Sequence, residues 1–334
     1  MRVAVDAMGG DYAPAEIIKG TIMALQAEEE LHVSLVGRDT ILNEQLAAYE
    51  YPSDRLSIVT AAEVIGNNEP PALALRRKKD ASMLKAISLV KEKEAHAAIS
   101  AGNTGALMVG GLLILGRVRG IDRPALAITL PSVRGGKTVL LDVGANMDAS
   151  VENLRQYALL GKVYAEKVLG KDNVRIGLLN IGAEPGKGNE LVKKAYTALE
   201  KEEGFAGNVE ARDLLQGLAD VVVCEGFVGN ILLKTLEGTA AEIFAFLKQE
   251  INRNWRGKVG GALLVPAFKQ IKKRMDYAEY GGSPLLGING LVIKAHGSSK
   301  AKSIKSTILN QACPFVRQGC IEKINNLFEA GRTS

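Results

Sequence analysis

The stretch AAISAGNTGALMVGG, Ala97 to Gly111, begins as a buried strand and ends as a small-residue helix. Between them lies Gly102-Asn103-Thr104-Gly105, which packs almost nothing. Glycine is entropically costly in ordered structure, and its usual purpose is to let the backbone approach another group closely. A strand that enters a helix through such a turn predicts an α/β chain with a ligand at the junction. Ala95–Gly116 carries no formal charge, and about 20 apolar residues can cross a bilayer. His96, Ser100, Asn103 and Thr104 interrupt that run, so a strand plus a buried helix accounts for it better than a membrane span.

Outward from this junction, short β-branched runs alternate with amphipathic segments of helical length. The predicted strands are 2–7, 32–37, 56–61, 95–101, 125–131, 138–144, 175–182, 220–226 and 291–297. Helices are expected over Pro14–Ala27, Val151–Leu169, Glu190–Lys201, Asn230–Ile251 and Ser299–Leu327. The alternation argues a mostly parallel sheet with helices on both faces. The 334 residues, 47% apolar, are ample for one large core or two smaller ones. We read 1–334 as one catalytic unit, with room for two intertwined subdomains.

Composition excludes several classes. With 42 basic and 37 acidic residues, the net charge of +5 is too mild to argue nucleic acid. Cys224, Cys313 and Cys320 make no disulfide framework, and the start MRVAVDAMGGD has no signal-peptide core, so a cytoplasmic setting is expected. GAEPGKG (182–188) and RGGKT (134–138) resemble phosphate loops but fail the spacing and context of one. No GxGxxG follows a strand, no GxSxG elbow exists, and no Cys/His cluster has metal-ligand spacing.

What remains is anion binding. Six strands end in polar glycine turns: 6–11, 100–106, 142–148, 180–190, 224–230 and 295–299. Backbone N–H groups in such turns, and the helix N-termini that follow, favour anions. In open α/β sheets ligands bind at the carboxyl ends of strands, so these turns are expected to gather along one sheet edge. Asn103 and Thr104 add side-chain donors, Lys187 adds charge from a neighbouring loop, and Asn230 lies at the start of a helix.

The motifs DAMGGDYAP (6–14), RRKKDAS (76–82), SAGNTGA (100–106), RPA (123–125), LLDVGAN (140–146), NIGAEPGKGNE (180–190), VEARDLL (209–215), CEGFVGNILLKTLEG (224–238) and GGSPLLGINGLVIKAHGSS (281–299) span nearly the whole chain. In that order they resemble the bacterial phosphate acyltransferase (PlsX) family of phospholipid synthesis. The resemblance implies an α/β/α sandwich with a mixed sheet, like isocitrate and isopropylmalate dehydrogenases and phosphotransacetylases, assembled as a homodimer. It implies transfer of a long-chain fatty acyl group from acyl carrier protein to inorganic phosphate, with phosphate as substrate and neither cofactor nor metal. Many members carry a second acid after Glu184, where this chain has Pro185.

Phosphate is already anionic, so positioning and oxyanion stabilisation dominate the expected chemistry, and direct attack is favoured over an acyl-enzyme. Lys187, Asn230 and His296 are the expected catalytic groups: charge neutralisation, oxyanion donation, and proton delivery to sulfur or contact with phosphate. Asp6, Asp11, Asn103, Thr104, Asp142, Asn146, Glu184 and Ser283 are expected around the substrate, with the aspartates more suited to orienting donors than to acid–base work. Arg76, Arg77 and Lys78 form a basic run that is either a solvated face or a docking patch for the acidic carrier protein. Over 252–276, within a basic amphipathic segment 236–278, seven basic residues surround Trp255, Leu263, Leu264, Val265 and Phe268. That composition suits a membrane surface, a dimer-interface helix pair, or both. The resemblance places a membrane glycerol-3-phosphate acyltransferase downstream. Two rival readings, a related dehydrogenase or decarboxylase and a non-enzymatic membrane or carrier-protein adaptor, lack a dinucleotide fingerprint and a use for the glycine turns respectively.

Overall fold

Every residue of the strand Ala97–Ser100 is buried, the pattern of a strand covered on both faces. It belongs to a sheet in a computed structural model that describes residues 1–275 and 281–330. The described strands are β1 (Arg2–Asp6), β2 (His32–Gly37), β3 (Leu56–Thr60), β4 (Ala97–Ser100), β5 (Ala125–Pro131), β6 (Lys137–Leu141), β7 (Ile176–Asn180), β8 (Phe205–Glu210), β9 (Val221–Val223), β10 (Ser283–Leu286) and β11 (Leu291–Lys294). Their order across the sheet is β3-β2-β1-β4-β11-β10-β5-β6-β9-β7-β8.

Strand direction corrects the expectation of a single ligand-binding edge. β3, β2, β1, β4 and β11 run parallel. β10 opposes β11, β5 opposes β10, and β6 opposes β5. β9, β7 and β8 then follow β6. The carboxyl ends of β1, β4 and β11 therefore leave one edge, and those of β6, β7 and β9 leave the other. β8 and β10 escape the sequence pattern for local reasons. Gly207 in β8 has φ +94° beside a register shift against β7, and β10 is a four-residue strand containing Pro284.

The helices are α1 (Ala15–Ala27), α2 (Asp39–Leu46), α3 (Pro71–Arg77), α4 (Ser82–Lys91), α5 (Thr104–Leu115), α6 (Val151–Lys167), α7 (Glu190–Leu199), α8 (Gly226–Asn252), α9 (Trp255–Met275), α10 (Ala301–Ser306), α11 (Cys313–Arg317) and α12 (Cys320–Ala330). A reciprocal Ser150–Asn153 capping box starts α6. The single helix expected over 299–327 is broken. A π turn, Thr307–Ala312, precedes Pro314, whose missing N–H interrupts the helical ladder, and Gly319 turns the chain with φ +59°.

Side chains alternate across each strand. One set (Val3, Ile99, Ala127, Leu141, Leu178, Ile293) joins α1, α6 and α12 in one continuous core. The opposite face divides in two. Ala4, Ala98, Val292 and Leu285 pack under α4 and α5, whereas Leu126, Ile128, Leu140 and Val222 pack with Leu233 of α8. A cleft over β10 and β5 separates them. α5 is accordingly not a fully buried helix: Leu113 is 70% exposed, and Met108, Val109 and Leu112 are half-buried.

α8 and α9 pack as a hairpin joined through Arg253 and Asn254. Exposed apolar residues stud it, with Phe246 63%, Trp255 70% and Leu263 79% accessible, and Leu264 and Val265 also exposed. The Arg256 guanidinium lies 5.6 Å from the Trp255 ring. Phe268 instead turns inward, lining the crevice against Phe244 and Ile251 of α8. Residues 276–278 of the basic segment lie outside the described residues.

Across the continuous core, the buried Tyr164 hydroxyl of α6 meets Thr129 of β5 at 3.3 Å and donates to Gln311 of the π turn. Tyr164→Phe removes the hydroxyl that links β5 to the π turn, and urea unfolding should show a loss of about 1 to 2 kcal/mol with an unchanged circular dichroism spectrum.

Candidate active site

Two buried aspartates organise the two halves. Asp6 ends β1 and has no exit to solvent. Its Oδ1 accepts from Ser82 Oγ at 2.6 Å and from the Met8 amide at 3.1 Å, and its Oδ2 accepts from Ser100 Oγ at 2.6 Å. Ser100 Oγ in turn accepts from the Gly102 amide at 3.0 Å. Burial raises the Asp6 pKa, against the lowering effect of these donors. The arrangement fixes the β1 and β4 turns against each other: a Cβ on Gly9 would sit 2.8 Å from the Gly102 nitrogen. Asp11 is exposed beyond this hub. Its amide donates to Gly297 O at 2.8 Å, which brings in the β11 turn, and its carboxylate accepts from Asn67.

Asp142, after β6, is the counterpart. It accepts from the Leu126, Gly144 and Ala145 amides on Oδ1, and from the Asn146 amide and side chain on Oδ2. Burial raises its pKa as well. The Asn146 side chain also donates to Pro124 O and meets the Tyr157 hydroxyl, and its carbonyl accepts from the Gly226 amide. Asn230, at the start of α8, packs on Gly144, whose φ is +127°. Among the described residues its side-chain amide makes no hydrogen bond.

Asn103 has structural work of its own. Its Oδ1 accepts from the Ala106 amide at 3.0 Å, capping α5. Its Nδ2 donates to the carbonyls of Gly66, Asn67 and Glu69 at 3.0–3.1 Å. Both amide protons are thus committed to the 66–69 loop rather than to a ligand. Thr104 follows as the first helical residue and is exposed; its amide and that of Gly105 precede the first intrahelical hydrogen bond.

The two halves meet in a cavity of about 180 Å³. Thr104, Ser283, Lys294 and His296 line it from the β1–β4–β11 side, and Lys234 and Glu237 of α8 line it from the other. Leu126, Ile128, Val143 and Leu233 supply an apolar wall. Lys294 ends β11, and the two-residue period sets it on the cleft face with Val292. Its Nζ donates to the Ala101 and Ala295 carbonyls, and burial lowers its pKa to about 8. Lys234 pairs with Glu237 at 2.7 Å. The Ser298 amide donates to His296 Nδ1 at 3.2 Å, which places the proton of the neutral ring on Nε2. Burial lowers the His296 pKa, keeping the ring neutral near pH 7.

Not every expected residue reaches this cavity. Glu184 and Lys187 are exposed in the turn after β7, two strands from β6 with β9 between. Neither lines the cavity, and the Glu184 carbonyl accepts from Asn208 of β8. Lys78 pairs with Glu69 at 2.5 Å and donates to Val64 O, bracing the loop that Asn103 holds; Arg76 and Arg77 stand exposed at the end of α3. Lys234 and Lys294 are cavity residues that the motif reading passed over. Lys294 is marked by a lysine ending an otherwise apolar strand, and Lys234 by its i+4 spacing from Asn230 on one helix face. Among the described residues, no group of three or more His, Cys, Asp and Glu is placed to hold a metal ion.

The architecture is that of phosphotransacylases. It is similar to a phosphotransacetylase from Streptococcus pyogenes, with a TM-score of 0.60 at 15% identity over 96% of this chain and 94% of that one. It is also similar to 4-hydroxythreonine-4-phosphate dehydrogenase from Klebsiella pneumoniae, with a TM-score of 0.52 at 14% identity over 95% and 98%. The model of a family described as "Fatty acid synthesis protein" matches residues 1–323. A phosphate acyltransferase from Halothermothrix orenii is 50% identical over 92% of this chain and 93% of its own. The chain belongs to this phosphate acyltransferase family and is an acyltransferase of fatty acid and phospholipid synthesis.

If Asn103 acts through the loop it holds, Asn103→Ala should destabilise the protein by about 1 to 2 kcal/mol. Hydrogen exchange should show faster exchange at the Gly66 amide, which Glu69 Oε1 accepts.

Proposed function

We propose that the cleft cavity is where inorganic phosphate attacks the thioester of a long-chain acyl-carrier protein, giving acyl phosphate and the free carrier thiol. The observation that carries this reading is the pairing, in one small cavity, of two lysines, a threonine at a helix N-terminus and a neutral histidine with an apolar wall. Such a site holds an anion against a greasy carbonyl compound. Lys294 and the amides of Thr104 and Gly105 bind phosphate, with the positive end of α5 aimed at it. The phosphate oxygen attacks the carbonyl carbon directly, and no protein nucleophile or cofactor takes part. His296 Nε2–H donates a hydrogen bond to the developing oxyanion, whereas Asn230 packs on Gly144 and does not line the cavity. When the oxyanion collapses, sulfur leaves as the thiolate and takes up the proton carried by the attacking hydrogen phosphate. Each such donor contributes about 3 kcal/mol to the transition state.

The test is acyl phosphate formation from palmitoyl-carrier protein and labelled phosphate. The reading predicts turnover with the carrier substrate; turnover with acetyl-coenzyme A alone would overturn it. Lys294→Met should lower kcat/KM for phosphate by about 100-fold. Lys294 is charged below its pKa of about 8 and neutral above it. kcat/KM for phosphate should therefore fall as pH rises through about 8, and Lys294→Arg should abolish that alkaline limb.

The α8–α9 hairpin is the surface we assign to peripheral membrane contact, on a cytoplasmic homodimer that passes acyl phosphate to a membrane glycerol-3-phosphate acyltransferase. Exposed Trp255, Leu263 and Leu264 beside Arg256 and Lys258 support this. None of the described helices is long and apolar enough to cross a membrane. Each basic residue near an anionic surface adds about 1 kcal/mol. In flotation assays the protein should rise with anionic but not neutral vesicles, less so at high salt. Leu263→Asp/Leu264→Asp should stay in solution with an unchanged sedimentation mass.

A further inference from the structure

A second cavity, of about 530 Å³, continues the cleft away from the lysines. α5 walls both cavities. Thr104 lines the first, and Met108 and Leu112 line the second, at successive four-residue steps on one helix face. The floor is shared in the same way: Ser283 of β10 faces the first cavity, and Leu285, two residues on and on the same face, faces the second. From Thr104 to Gly116 the helix gives an apolar track about 18 Å long. At its far end Arg117 and Arg123 line the opening, and Arg119, two residues beyond Arg117, is exposed. Asp122 is the one carboxylate among the lining residues. Arg117 and Arg123 donate to the carbonyls of Asp122 and Asp148, and none of the three arginines joins a described ion pair. An apolar slot that ends on one side at a reaction centre and on the other at unneutralised arginines has the form of a site for a thin linker whose far end is acidic.

We propose that the acyl carrier protein docks its acidic surface on Arg117, Arg119 and Arg123, and that its phosphopantetheine arm lies along the Met108–Leu112 face of α5 with the thioester at Thr104. This rests on the reading of the first cavity as the acyl-transfer site. Charge complementarity selects the carrier over the fatty chain of the thioester, whose methyl end has no use for arginines. The exposed Arg76 and Arg77 lie on α3, whose first residue, Pro71, packs on Gly105 at the opposite end of α5, away from the arginine opening.

The experiment compares wild type with Arg117→Glu/Arg119→Glu and with Arg76→Glu/Arg77→Glu, on palmitoyl-carrier protein and on palmitoyl-pantetheine, with thermal unfolding as a folding control. The first variant should raise KM for the carrier substrate at least tenfold, with kcat within twofold. KM for phosphate and for palmitoyl-pantetheine should be unchanged, and the salt dependence of the carrier KM should flatten. The α3 variant should match wild type. An unchanged carrier KM in the first variant, or the rise appearing in the α3 variant instead, overturns the proposal. Leu112→Trp is the second arm: blocked turnover of both thioesters supports an arm in the track, whereas a shift in acyl-chain preference alone would put the fatty chain there and overturn it. Failure of the wild type to make acyl phosphate from either thioester would fall on the underlying reading, not on the docking surface.

Discussion

Where a ligand can sit is fixed by the reversal of strand direction across β10, β5 and β6. A sheet of parallel strands would send every glycine turn to one edge. Here the turns after β1, β4 and β11 leave one side, and those after β6, β7 and β9 leave the other. The reversal also stops helices from covering one face continuously. α4 and α5 cover one half, the start of α8 covers the other, and the strands between them form the floor of a cleft. The uninterrupted core on the opposite face holds the two halves in register.

Within that frame the polar motif residues divide by burial. Asp6 and Asp142 are too deep to meet substrate; desolvation would disfavour their charge, and converging hydroxyl and amide donors hold it in place. Their work is to set the turns. The polar groups facing the cavity include Lys294, Thr104, Ser283 and His296, with Lys234 paired to the cavity's carboxylate, Glu237. Lys294 is half-buried, and its Nζ meets two backbone carbonyls and, among the described residues, no carboxylate within ion-pair distance. Desolvation lowers its pKa to about 8, so a bound anion would favour its charged form. The sequence pattern around Asn103 looked like a ligand cradle because caps, loop anchors and anion nests use the same residue types. Only the three carbonyls facing its Nδ2 tell these apart.

Strands with short apolar runs containing β-branched residues, such as RVAVD and TVLL, were legible from the chain alone, as was α6 with its apolar spacing. β8 and β10 were not, because Gly207 and Pro284 interrupt the pattern that marks a strand. The short α2 and α3, about two turns each, carry too little periodicity to be seen, and α4 has no apolar spacing that the sequence reading separated from its surroundings. The site was half legible. Thr104, Ser283 and His296 were placed by their motifs, but strand direction depends on non-local pairing, so the distance between Lys187 and the cavity could not be read. Lys234 and Lys294 converge because α8 and β11 face each other across the cleft, a juxtaposition that no local pattern encodes.

The most direct test of the account is a crystal structure with phosphate bound. It predicts one phosphate between α5 and β11, within hydrogen-bond distance of Thr104, Lys294 Nζ and His296 Nε2. Phosphate bound instead in the 180–190 turn beside Lys187, with the cleft empty, would contradict it.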